Sequence, residues 1–139
     1  MKGWFLSALT EFKTIMDVTP LIPADGQFID SYGRGIFRVS GTLYEGPLLV
    51  FPDRTQVWNA TLFAELTLQS FDFVRSAEPA VEILLLGSGP KMGLLPSKLR
   101  RELRDAGIVV DVMATGAACR TYNVLLSEER RVAAALLPV

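Results

Sequence analysis

Histidine is absent from the 139 residues, and cysteine occurs once, as Cys119. The first absence removes the commonest general base and the commonest metal ligand. The second excludes an internal disulfide, and with no histidine to serve as its base a papain-like thiol mechanism is excluded as well. No cysteine cluster or P-loop is present, so no metal and no cofactor are expected. No apolar run reaches the roughly 18 residues that suggest a membrane span. An excess of charge is missing too: 14 Lys and Arg stand against 15 Asp and Glu, for a net charge of −1. Nothing therefore draws the whole chain to nucleic acid, and no nucleic-acid partner is expected. Internal repeats and low-complexity segments are also lacking.

What remains is the composition of one folded domain. Half the residues are apolar, 21% are charged and the mean hydropathy is +0.31, values that a disordered chain does not have. The balanced total hides an asymmetry: residues 1–90 carry 6 basic and 10 acidic groups, residues 91–139 carry 8 and 5. Met1–Leu9 holds a lysine and a short apolar stretch, but Glu11 and Lys13 follow without a small-residue cleavage site, a poor secretory signal. A soluble, cytoplasmic protein is expected.

Along the chain the periodicity changes near Pro79. Phe5, Leu9, Phe12 and Met16 have the spacing of one helical face, and residues 1–19 are read as an N-terminal extension to a single domain over 20–139. Residues 28–32, 36–40, 47–51 and 56–59 read as short strands, punctuated by Gly33-Arg34-Gly35, Gly41, Gly46-Pro47 and Pro52-Asp53, the turn residues of antiparallel hairpins. Thr67 suits the cap of a short helix over 68–77. Beyond Pro79, apolar runs at 81–86, 108–113 and 132–137 read as buried strands, and 96–106 and 117–129 as helices. The run 132–137 is ambiguous, because three alanines favour helix; its place before Pro138 favours strand. The order implies parallel pairing of the first two buried strands with a right-handed crossover.

Two polar loops follow those two strands: 87–90, with Gly87, Ser88 and Gly89, and 114–123, with Thr115, Gly116, Cys119, Arg120, Thr121, Tyr122 and Asn123. In an open α/β sheet both loops would meet at the strands' carboxyl ends, where ligand crevices form. Free N–H groups at a helix start, with Arg120 beside them, suit a carboxylate or phosphate; glycine at strand ends and Thr at a helix start also serve as ordinary turn and cap residues. Gly87-Ser88-Gly89 opens like a dinucleotide fingerprint but fails at Met92, and Asp111 falls inside its strand. A helix start and Arg120 would both lower the Cys119 pKa; burial beneath the helix is the blander role. Lys98, Arg100, Arg101 and Arg104 read as a solvated helix face.

The segment from Met113 to Leu125, Met-Ala-Thr-Gly-Ala-Ala-Cys-Arg-Thr-Tyr-Asn-Val-Leu, then Glu128 and Arg130 to Leu136, joins Ile83–Gly89, Ile29–Gly33 and Trp58 in one pattern. It resembles the family of mitochondrial respiratory complex I assembly factor 3 and its prokaryotic relatives, mostly catalogued as a domain of unknown function. The resemblance covers about residue 20 to the C-terminus. It implies an α/β fold: a single three-layer domain with a central mixed sheet, helices and an added N-terminal β-hairpin layer. It also implies a non-catalytic assembly factor whose partner is another protein, in the mitochondrial matrix for a eukaryotic member. The alternative is a domain binding a small molecule or small anion, or an enzyme, at the loops 87–90 and 114–123. A thiol-dependent role for Cys119 is a third reading.

Overall fold

The computed structural model describes residues 26–139; the extension over 1–19 and its helical spacing lie outside the described residues. Three strands open the fold: β1 (Ile29–Gly33), β2 (Ile36–Val39) and β3 (Thr42–Glu45), in the order β1-β2-β3 and antiparallel throughout. Both connections are two-residue turns. Gly33 pairs with Ile36 across Arg34 and Gly35, with φ of 51° and 81°, and Val39 pairs with Thr42 across Ser40 and Gly41, with φ of 46° and 83°. Positive φ at both turn positions matches the twist of the flanking strands.

β4 (Leu48–Phe51) and β5 (Arg54–Val57) turn at Pro52-Asp53 and belong to a second sheet. Its remaining strands are β6 (Ile83–Gly87), β7 (Val109–Met113) and β8 (Val132–Leu136), and its order is β5-β4-β8-β6-β7. β6 lies parallel to β7 and β8, whereas β4 lies antiparallel to β8 and β5. β8 is the middle strand and all five of its residues are buried. A central position with both faces covered overrides the helical preference of its alanines.

The sheet divides the core by strand alternation. Leu49, Phe51, Leu84, Leu86, Ala133 and Ala135 face the layer holding α2 (Ser97–Asp105), which contributes Leu99 and Leu103. Leu48, Val50, Leu85, Ala134 and Leu136 face α3 (Thr115–Ser127) and the three-stranded sheet, which contributes Ile29, Phe37 and Val39. The three-layer α/β architecture with an added β layer is thus present.

Several boundaries differ from the sequence reading. β3 was not expected: three of its four side chains are exposed, so little hydrophobic signal marks it. The fourth strand lies at 54–57 rather than 56–59 because the tight turn at Pro52-Asp53 starts pairing at once. The helix expected over 68–77 is a 3-10 turn, Leu68–Phe71, followed by the four-residue α1, Asp72–Arg75; the Ser70 hydroxyl accepts the Thr67 N–H at its start. α3 begins two residues earlier than expected and ends where Glu129 turns to φ 62°.

Candidate functional site

The loops after β6 and β7 do meet, and they meet tightly. Gly87 lies in β6 itself. A Cβ there would sit 2.8 Å from Thr115 Oγ1, 3.0 Å from Thr115 Cα and 3.1 Å from Leu136. The glycine lets α3 start directly against the strand ends, which accounts for the apparent start of a dinucleotide fingerprint. Thr115 is fully buried. Its hydroxyl donates to the Leu137 carbonyl at 2.6 Å and accepts the Gly89 N–H at 2.9 Å, and its own N–H donates to the Gly89 carbonyl at 2.9 Å. Both lobes of a buried hydroxyl are satisfied, so it binds β8, the β6 loop and α3 into one joint.

Ser88 is used in a similar way. Its hydroxyl donates to the Lys91 carbonyl at 2.6 Å and accepts the Gly93 N–H at 2.9 Å, while its backbone N–H donates to Met113. This shapes the 88–93 turn. Phe63 lies against Gly93, where a Cβ would come within 2.6 Å of its ring.

Thr121, Tyr122 and Asn123 are residues of α3 rather than of a loop. Asn123 makes a two-point contact with Ile29 of β1: its Oδ1 accepts the Ile29 N–H at 3.0 Å and its Nδ2 donates to the Ile29 carbonyl at 2.9 Å. Tyr122 is buried in the core and its hydroxyl has no hydrogen-bond partner among the described residues. Burial, with a lesser contribution from the charge of Asp53, pushes its pKa up. Thr121 is half-buried.

Cys119 takes the buried role weighed in the sequence and not that of an activated thiol. It is buried under α3, and that burial pushes its pKa up to about 12, with the nearby Arg120 charge acting only as a partial counterweight. Desolvation outweighs the cation here. Arg120 itself is exposed, and its Nη1 donates to the Tyr32 hydroxyl at 3.4 Å. That hydroxyl occupies the space a Cβ at Gly116 would take, so Gly116 admits Tyr32 to the start of α3.

Beside this pair lies an open hollow of about 530 Å³ between β1 and α3, bordered by Phe28, Asp30, Tyr32, Cys119, Arg120 and Asn123. Asp30 is exposed, but partial desolvation of its carboxylate raises its pKa above 3.8, against the lowering effects of the Gly41 N–H bond and of Arg38. Three of the ten residues named from sequence thus border the hollow. Tyr32, Asp30 and Phe28 were missed as site residues, because 80 or more residues separate each from its neighbours on α3. Arg100 also departs from the solvated face expected for the basic run: its Nη1 donates to the Val110 carbonyl on edge strand β7 at 2.8 Å. Lys98, Arg101 and Arg104 are exposed.

Residues 29–137 match the model of a family described as protein of unknown function (DUF498/DUF598). The chain belongs to that family. An uncharacterized protein of Rhodobacter capsulatus is 41% identical over 111 residues, covering 80% of this chain and 84% of the relative. The human NADH dehydrogenase [ubiquinone] 1 alpha subcomplex assembly factor 3 is 35% identical over 115 residues, 83% of this chain and 62% of that protein. This member of the DUF498/DUF598 family therefore spans less than two thirds of its human relative. The crystal structure of a Bordetella parapertussis protein superposes with a TM-score of 0.76 at 32% identity, covering 84% of this chain and all of that one. Among the described residues no helix is long and apolar enough to cross a membrane. Neither the packing of the two loops nor the names of the relatives supports a small-molecule crevice between them.

Proposed function

We propose that this protein is a non-catalytic assembly factor that holds another protein during construction of a respiratory complex of the NADH dehydrogenase type. The relatives named as assembly factors support the class of partner. The observation that carries the reading is the division of labour among the polar groups near α3. Thr115, Ser88 and Asn123 direct their hydrogen bonds into the chain. Arg120 and Tyr32 remain on the outside, next to the hollow. An aromatic hydroxyl and a guanidinium at a wide concave surface suit protein recognition, where Tyr and Arg dominate binding energy.

Deleting the gene in its native host tests this reading. Assembled NADH:ubiquinone oxidoreductase, measured on native gels and by membrane NADH oxidation, should fall, with subassemblies accumulating, and the full-length gene should restore it. Undiminished assembly in the deletion strain would contradict the reading.

A further inference from the structure

The turn after β6 holds two large apolar side chains out of the fold. Ser88 closes it, accepting the Gly93 N–H and donating to the Lys91 carbonyl, while Gly93 lies against the Phe63 ring and Leu95 is buried in the same core cluster as Leu99. Anchoring 93 and 95 inward leaves Met92 and Leu94 outward, 64% and 86% exposed. Leu94 is the most exposed large apolar side chain among the described residues. Leu62, next to Phe63, is exposed as well and adds a third apolar side chain to this corner.

The same corner is basic. α2 starts directly after Pro96, so the exposed Lys98 and Arg101 occupy its first and second turns close behind Leu94, with Lys91 on the other flank and Arg104 further along. Residues 91–104 carry five basic groups and a single acid, the half-buried Glu102. Arg100 is committed to the Val110 carbonyl. The ion pairs among the described residues join Arg54 to Asp53, Arg75 to Asp72 and Arg131 to Glu82, so Lys91, Lys98, Arg101 and Arg104 take part in none of them. Of the nearby acids, Asp105 stands at the far end of α2 and Glu65 accepts the Thr61 hydroxyl.

Aliphatic tips beside cations disfavour two kinds of partner and fit a third. Nucleic acid stacks its bases on aromatic rings, and the groups protruding here are a thioether and a leucine. A protein hot spot seats its anchors in a desolvated pocket, whereas Met92 and Leu94 project from a turn. An anionic bilayer suits both features, because aliphatic side chains enter the acyl boundary while Lys and Arg meet the headgroup phosphates. We propose that the turn at 91–94 and the exposed side of α2 dock this protein on an anionic lipid bilayer, with Met92 and Leu94 dipped into the surface and Lys91, Lys98 and Arg101 against phosphates. The docking surface lies on the α2 side of the central sheet, opposite the α3 side that carries Arg120. A protein partner at the Tyr32–Arg120 face and a membrane at this corner would not compete.

Vesicles supply the test. In flotation, the full chain should rise with phosphatidylcholine vesicles containing about one third phosphatidylglycerol, stay behind with phosphatidylcholine alone, and be released at about 0.5 M salt. Met92→Asp with Leu94→Asp, and Lys98→Glu with Arg101→Glu, should each lower the bound fraction about tenfold or more. Val57→Asp, at an exposed apolar residue of the edge strand β5, should not. Absence of flotation with the anionic vesicles, equal flotation with neutral ones, or undiminished flotation of either double variant would overturn the proposal. A second readout depends on no loss of binding: Leu94→Cys carries an environment-sensitive dye, with Cys119 buried, and its emission should shift to the blue when the anionic vesicles are added. An unshifted emission would overturn the proposal. So would binding of a single-stranded oligonucleotide that Lys98→Glu with Arg101→Glu removes and Met92→Asp with Leu94→Asp leaves intact, since the basic face would then belong to nucleic acid.

Discussion

At the carboxyl ends of β6, β7 and β8 the chain is knitted to itself, with the Thr115 hydroxyl between Leu137 and Gly89 and with Gly87 leaving no space for a side chain. At the amino ends of β6 and β8 a groove of about 290 Å³ interrupts the packing. The sequence features at the two ends run the other way. Glycines and hydroxyls crowd the closed end, while the open end is lined by ordinary apolar residues, prolines and surface charges. Small residues mark close approach of backbones as readily as they mark approach of a ligand, and a cavity needs no motif of its own.

The largest expected effect falls on the closed end. Thr115→Val removes the hydroxyl and strands a buried carbonyl and a buried N–H, at a cost of about 2–4 kcal/mol in urea unfolding. A loss below about 0.5 kcal/mol would mean that the joint is held elsewhere. Gly87→Ala comes next, at about 1–3 kcal/mol, because its methyl group meets Thr115 Cα as well as the movable hydroxyl. If the alanine variant unfolds at the same urea concentration as the parent, the strand ends are looser than described. Asn123→Ala should cost about 1–2 kcal/mol and speed hydrogen exchange at Ile29 and through β1, leaving β6 and β8 protected. Uniform exchange changes would deny Asn123 its role as a link between α3 and the three-stranded sheet.

Two smaller effects concern the border between packed and open regions. With its pKa at about 12, Cys119 is thiolate to only about one part in ten thousand at pH 8, against about a quarter for an unperturbed thiol. Disulfide reagents should therefore modify it at least a hundredfold more slowly in the native protein than in urea; equal rates would show that α3 does not seal it. Asp30 gives the smallest effect. Its folded pKa lies above the unfolded value, so the folded state binds the proton more tightly and stability declines as pH rises from below 3.8 through the raised value. Asp30→Asn keeps an acceptor for the Gly41 N–H and should be slightly more stable than the parent at pH 6 but not at pH 3. A variant less stable at pH 6 would reverse the sign.

The half of the fold after Pro79 was legible because β6 and β8 are apolar on both faces and its helices carry clear stops, such as Gly107 at φ 86°. β3 was not, because it buries almost nothing. The joint at Thr115 was legible only as a hydroxyl at a helix start: its partner Leu137 stands just past the end of β8, and sequence spacing does not reveal such a pairing. The Tyr32–Gly116–Arg120 contact spans 84 residues between its first two members, and the α3 segment gave no hint of the tyrosine. The choice between an activated and a buried Cys119 was left open for a related reason. Neighbours in sequence showed the cation, while burial, the larger influence, comes from the sheet beneath.

Arg120→Ala separates the outward-facing groups from the inward-facing ones most directly. Because Arg120 is exposed and among the described residues holds only the long contact to Tyr32, the variant should keep its melting midpoint within about 2 °C, a change of well under 1 kcal/mol. Supplied to the deletion strain, it should leave assembled NADH:ubiquinone oxidoreductase near the level without the gene. Assembly restored to the parental level by that stable variant would contradict the assignment of the Tyr32–Arg120 face to partner binding.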